Sequence, residues 1–129
     1  MLEQLTVLVV DDDAEIVTAA TLRLRAAGYL TRSAHDGIAA VALAAECQPN
    51  VVLLDVRMPR MDGLTALKEL KQRDDTKHIP VVMLSASIVD QQAALDDGAR
   101  YFLKKPYLAD TLLRALASAL ETSPAQADP

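Results

Sequence analysis

The sequence predicts an α/β domain built on one parallel five-stranded sheet with helices on both faces. Short aliphatic runs alternate with helix-length segments from end to end. Three of the runs, VLVV, VVLL and VVML, have no polar break, as strands covered on both faces require. The 129 residues, 51% of them apolar, are enough for one substantial core and fall within the size of a single domain.

The first expected strand is Val7–Val10, followed by a helix over Ala14–Ala27 with Ile16, Ala20, Leu24 and Ala27 on one face and Gly28 as its stop. Leu30–Ser33 is more polar and reads as an edge strand. The Ala-rich stretch Ile38–Cys47 ends before Pro49. Val51–Leu54 is the third strand, and Leu64–Arg73 spaces Leu64, Leu67 and Leu70 at helical intervals. Val81–Leu84 leads to a helix over Val89–Asp97 that stops at Gly98. Tyr101–Leu103 and the Leu/Ala-rich helix Leu108–Leu120 complete a fifth β-α unit. Strands alternating with crossover helices imply right-handed parallel connections. Residues 1–122 are expected to form the domain, and 123–129 (SPAQADP) a disordered tail or the start of a linker.

Composition narrows the function. A net charge of −5 disfavours nucleic acid and anionic membranes as partners. Cys47 is the single cysteine, which excludes an internal disulfide or a multi-thiolate metal site and fits a reducing compartment. MLEQLTVLVV lacks the basic region and cleavage site of a signal peptide, and no apolar run has membrane-spanning length. A cytoplasmic setting is expected.

In an open parallel sheet, ligands bind beyond the carboxyl ends of the strands. Asp11, Asp12 and Asp13 follow the first strand, Asp55 the third, Ser85 the fourth, and Lys105 the fifth. Four strand ends of five thus bring carboxylates, a hydroxyl and an ammonium to one crevice. Like charges at that density call for a cation, and hard oxygen donors without nearby His or Cys suit Mg²⁺. A carboxylate can itself be a nucleophile that forms an aspartyl-phosphate. The ammonium and hydroxyl can hold phosphoryl oxygens. One of the three aspartates is surplus, and Asp13 is assigned to cap the first helix. Asp62-Gly63 reads as a turn and helix start, Lys104 as a surface charge, and Met58, Met61 and Met83 as packing residues. His35 and His78 have no second ligand near them and read as solvated.

VLVVDDDAEI, VVLLDVRMPRMDG, PVVMLSA and GARYFLKKPY, in that order over Thr6–Glu121, resemble the receiver domain of two-component response regulators (CheY-like). The resemblance implies a flavodoxin-like (βα)5 fold with strand order 2-1-3-4-5. It implies that Asp55 is the phosphoacceptor, taking its phosphoryl group from a sensor histidine kinase or a histidine phosphotransfer protein. Asp11 and Asp12 would hold Mg²⁺ (or Mn²⁺ in its place) together with Asp55 and the backbone carbonyl of Arg57. Ser85 and Lys105 would bind the phosphoryl group, and Phe102 would change rotamer when Ser85 moves. The Lys105–Pro106 bond would be cis. Arg57 and Ser87, two residues past Asp55 and Ser85, would tune phosphoryl lifetime, Arg57 either by shielding the phosphate or by contacting it. The implied protein is no enzyme beyond catalysing its own phosphorylation and dephosphorylation. It would present the face of helix four, strand five and helix five to a downstream partner or, when phosphorylated, to a second copy.

Two other readings compete. A receiver-like docking module that is never phosphorylated commonly lacks an acidic, hydroxyl or lysine position, and all are present here. Asp11-x-Asp13 also resembles the nucleophile motif of haloacid-dehalogenase-like phosphatases. That family wants Thr or Val where this chain has Glu15, and an acidic pair after the lysine that is missing.

Overall fold

The computed structural model describes residues 4–121; the expected tail lies outside them. Ten elements alternate: β1 (Thr6–Val10), α1 (Ala14–Ala26), β2 (Leu30–Ala34), α2 (Gly37–Cys47), β3 (Val51–Asp55), α3 (Gly63–Gln72), β4 (Val81–Ser85), α4 (Asp90–Asp96), β5 (Tyr101–Lys104) and α5 (Ala109–Glu121). The strands form one parallel sheet in the order β2-β1-β3-β4-β5. Both the α/β class and the strand order agree with expectation.

β3 and β4 are buried along their whole length, which is why their sequences carry no polar alternation. One face of the sheet packs Leu8, Val52, Leu54, Val81 and Met83 against α2, α3 and α4. The other packs Val7, Val9, Leu53 and Val82 against α1 and α5 through Val17, Leu24, Leu112 and Leu116. Burying a side chain of this size is worth about 1.5–3 kcal/mol, so each layer is held chiefly by its aliphatic contacts. Phe102 joins the first cluster and Tyr101 the second.

The expected inner face of α1 is corrected. Val17 is buried with Ala20 and Leu24, whereas Ile16 is 37% exposed. The i, i+3, i+7 spacing from Val17 aims at the sheet; Ile16 lies one residue round the helix, beside Tyr107.

α1, α2 and α3 start on aspartates, Asp13, Asp36 and Asp62, each accepting backbone N–H groups of its first turn. α4 differs: it has seven residues and no side-chain cap. Gly63 is fixed by sterics rather than conformation, since a Cβ there would run into the Asp55 carbonyl. Its amide donates to Val56 at 2.8 Å, which folds the β3–α3 loop back over the end of β3. Among the described residues no helix is long and apolar enough to cross a membrane.

Candidate functional site

Register builds the site. Val10 lies opposite Leu54, so Asp11, just past β1, and Asp55, the last residue of β3, stand side by side. Asp55 lies opposite Leu84, and Ser85 opposite Lys104, which brings Ser85 and Lys105 to the same rim. The Lys105 amide donates to the Ser85 carbonyl at 2.8 Å, and the Lys105–Pro106 peptide is cis.

Oxygens of Asp11, Asp12 and Asp55 lie within 4.8 Å of one another. Asp11 and Asp55 are buried and Asp12 is exposed. The Lys105 ammonium reaches across from β5, 2.8 Å from Asp55 Oδ1 and 3.2 Å from Asp11 Oδ2. Asp13 turns away: its Oδ1 accepts from the Glu15 and Ile16 amides, and its own amide donates to Asp11 Oδ1. The surplus aspartate is therefore the helix cap, and the phosphatase-like pairing of Asp11 with Asp13 loses its second free acid.

Burial pushes the Asp55 carboxyl above the usual carboxylate range, against the hydrogen bond from Lys105 that favours its ionised form. Burial opposes the charge on Lys105 too, but the bond to Asp55 and the nearness of both acids outweigh it, and its pKa is raised. One ammonium among three carboxylates leaves the cluster net negative. Three hard oxygen donors, one of them open to solvent, with an ammonium against the other two, fit a small divalent ion that keeps several waters.

The other expected site residues fall around this cluster. Ser85 is buried, yet its hydroxyl donates to Asp90 Oδ2 at 2.7 Å and accepts from the Ser87 amide at 3.0 Å. Arg57 does not face Asp55; its guanidinium pairs with Asp90 at 3.3 Å. Ser87 Oγ accepts from the Val89 amide. Lys104 is exposed, Met83 is in the core, and Met58 and Met61 pack against it. His35 is exposed, but its Nδ1 comes within 3.3 Å of the Asp11 carbonyl, closer to the site than a purely solvated histidine. Burial raises the Cys47 thiol pKa, which favours the protonated thiol over the nucleophilic thiolate.

Sequence reasoning passes over Asp90. It stands five residues beyond Ser85 in a loop-to-helix segment, where an acid reads as a helix-start residue. Only the fold brings Arg57, from a different loop, against it.

A family model described as the response regulator receiver domain matches residues 7–117. The DNA-binding dual master transcriptional regulator RpaA of Synechocystis is 36% identical over 116 residues, covering 88% of this chain and 48% of RpaA. The chain spans about half the length of the relatives it matches by sequence. The chemotaxis response regulator CheY4 of Vibrio cholerae superposes with a TM-score of 0.86 at 32% identity, covering 92% of this chain and all of CheY4. The receiver domain of the sensor histidine kinase PA1611 of Pseudomonas aeruginosa, solved with a magnesium ion coordinated in the active site cleft, superposes with a TM-score of 0.85 at 28% identity. It matches 93% of this chain and 100% of its own.

Proposed function

The chain belongs to the response regulator receiver domain family, and from that premise we propose that it is a cytoplasmic phosphorylation switch with Asp55 as its phosphoacceptor. The observation that carries this reading is the meeting of Asp11, Asp12 and Asp55 with the Lys105 ammonium at the strand ends. Asp55 Oδ attacks a phosphoryl group carried by a histidine of a partner kinase or phosphotransfer protein; the O–P bond forms as the P–N bond breaks, and the histidine leaves as imidazole, taking up a proton from solvent. Lys105, already 2.8 Å from Asp55, holds the ammonium where charge collects on the transferred oxygens. Asp11, Asp12, Asp55 and the Arg57 carbonyl are the groups that would hold Mg²⁺, or Mn²⁺ in its place. An ion held there would supply positive charge for the phosphoryl oxygens.

After transfer, the hydroxyl of Ser85 bonds a phosphoryl oxygen and Phe102 follows into the space it leaves. That biases the surface of α4, β5 and α5, which a downstream protein or a second copy reads. Exposed Ile88, Val89, Leu95 and Leu108 support an apolar docking surface in that region. The chain catalyses only its own phosphorylation and dephosphorylation. The test is Mg²⁺-dependent labelling by acetyl phosphate. Label on Asp55 is expected, and an unlabelled chain at saturating donor would leave a docking module as the reading.

A further inference from the structure

A hydroxyl carries one proton and can donate it to one acceptor at a time. In this structure the Ser85 proton goes to Asp90 at 2.7 Å, the length of a charge-assisted bond. The lone pairs of Ser85 are also in use, through the Ser87 amide at 3.0 Å. Asp90 is buried almost as deeply as Asp55, with its side chain 10% exposed and Ser85 and Arg57 as its partners. Both partners offset the cost of burying that carboxylate. Arg57 comes from the β3–α3 loop, two residues beyond Asp55, and Asp90 is the first residue of α4, the helix without a side-chain cap.

We propose that Asp90, steadied by Arg57, is a positioning residue that competes with the phosphoryl group for the Ser85 hydroxyl. The inference rests on the phosphoacceptor reading of Asp55. Before phosphorylation the Ser85–Asp90 bond holds the switch hydroxyl turned toward α4. A phosphoryl oxygen on Asp55 accepts the same proton only when that bond breaks, which leaves Asp90 with Arg57 and water. Occupancy of the phosphorylated state is therefore set by the difference between two acceptors of one donor. The loss is felt at the first turn of α4, where a segment lacking its own cap is held by the residue that has just lost its partner.

The test uses beryllofluoride, a tetrahedral phosphoryl mimic that bonds a carboxylate, titrated into the Mg²⁺-loaded chain by calorimetry. Asp90→Ala is expected to tighten its apparent binding about tenfold, the worth of one hydrogen bond to a charged group. Asp90→Asn keeps shape and acceptor but not charge, and is expected to gain about threefold, since a neutral bond has roughly half the strength; it carries the test if the alanine variant does not fold. In a Ser85→Ala background the gain should vanish. A gain that survives there means that Asp90 acts by repulsion alone, and overturns the proposal. So does equal affinity of the parent chain and Asp90→Ala. A parent chain that binds no beryllofluoride and takes no label removes the phosphoacceptor reading itself, a distinct failure.

Discussion

Lys105 and Lys71 are half-enclosed ammonium groups at opposite ends of one sheet; burial opposes the charge on both, yet their pKa values move in opposite directions. Lys105 stands at the carboxyl end between two buried carboxylates, and its pKa is raised. Lys71, at the end of α3, donates to the carbonyls of Ile79 at 2.6 Å and Lys77 at 3.2 Å, where the chain enters β4. It has only those dipoles to offset burial, with Arg100 adding repulsion, and its pKa falls to about 8. Both are bound by short contacts. The difference is that charge is compensated by charge at one end and by dipoles at the other. The first arrangement leaves a net negative cluster into which a divalent cation can be drawn; the second ties a loop to a helix.

The comparison breaks most sharply at Asp55. Asp55→Asn should lose all label from acetyl phosphate while remaining folded, read by mass spectrometry beside a thermal melt; residual label would move the nucleophile elsewhere. Lys105→Met should come next, destabilising the metal-free chain by about 3 kcal/mol in urea because two buried acids lose their cation. Mg²⁺ should restore part of that. Lys71→Met should cost less than about 1 kcal/mol, because it removes neutral-acceptor bonds along with the burial of a charge. If the two methionine variants cost the same, the contrast between the ends is wrong.

The pH dependences sharpen it further. Lys71 titrates at about 8 when folded and near 10.5 when unfolded, so between those values the unfolded chain holds the extra proton. Stability should therefore rise with pH across that window, and Lys71→Met should flatten the rise in denaturant midpoint. Asp55 shifts upward, so protons compete with Mg²⁺ at a higher pH than for an ordinary aspartate. The smallest expected effect is a fall in Mg²⁺ affinity that begins just above the usual carboxylate range on acidification, followed by calorimetry.

Most of the fold is legible in the sequence because two periods write it. Each expected strand agrees with the observed one to within one residue at either end, since the burial of β1, β3 and β4 is spelled in unbroken aliphatics. Asp11 and Asp55 are legible for the same reason, each being the first polar residue after a buried run, whereas Lys105 follows exposed Lys104 and is marked by the proline after it. Side-chain direction is not. Nothing local says that Ser85 turns to Asp90, or that Arg57 crosses to α4 instead of facing Asp55, because those choices depend on two loops meeting. Ile16 and Val17 are exchanged for a related reason. A helix with apolar residues on more than one face hides which stripe meets the sheet until its axis is placed.

The Lys105 ammonium meets Asp55 across 50 positions of the chain and Asp11 across 94. Such contacts form only after the loops between them have been gathered, at an entropic cost that grows with their length. During synthesis β1, β3 and their acids emerge from the ribosome well before β5 exists, and domains fold as units once their strands are available. A half-made chain thus carries the aspartates without their ammonium. The cluster of Asp11, Asp55 and Lys105 is complete only when the final strand docks, so on the proposed function a chain that can accept a signal is also one whose sheet is finished.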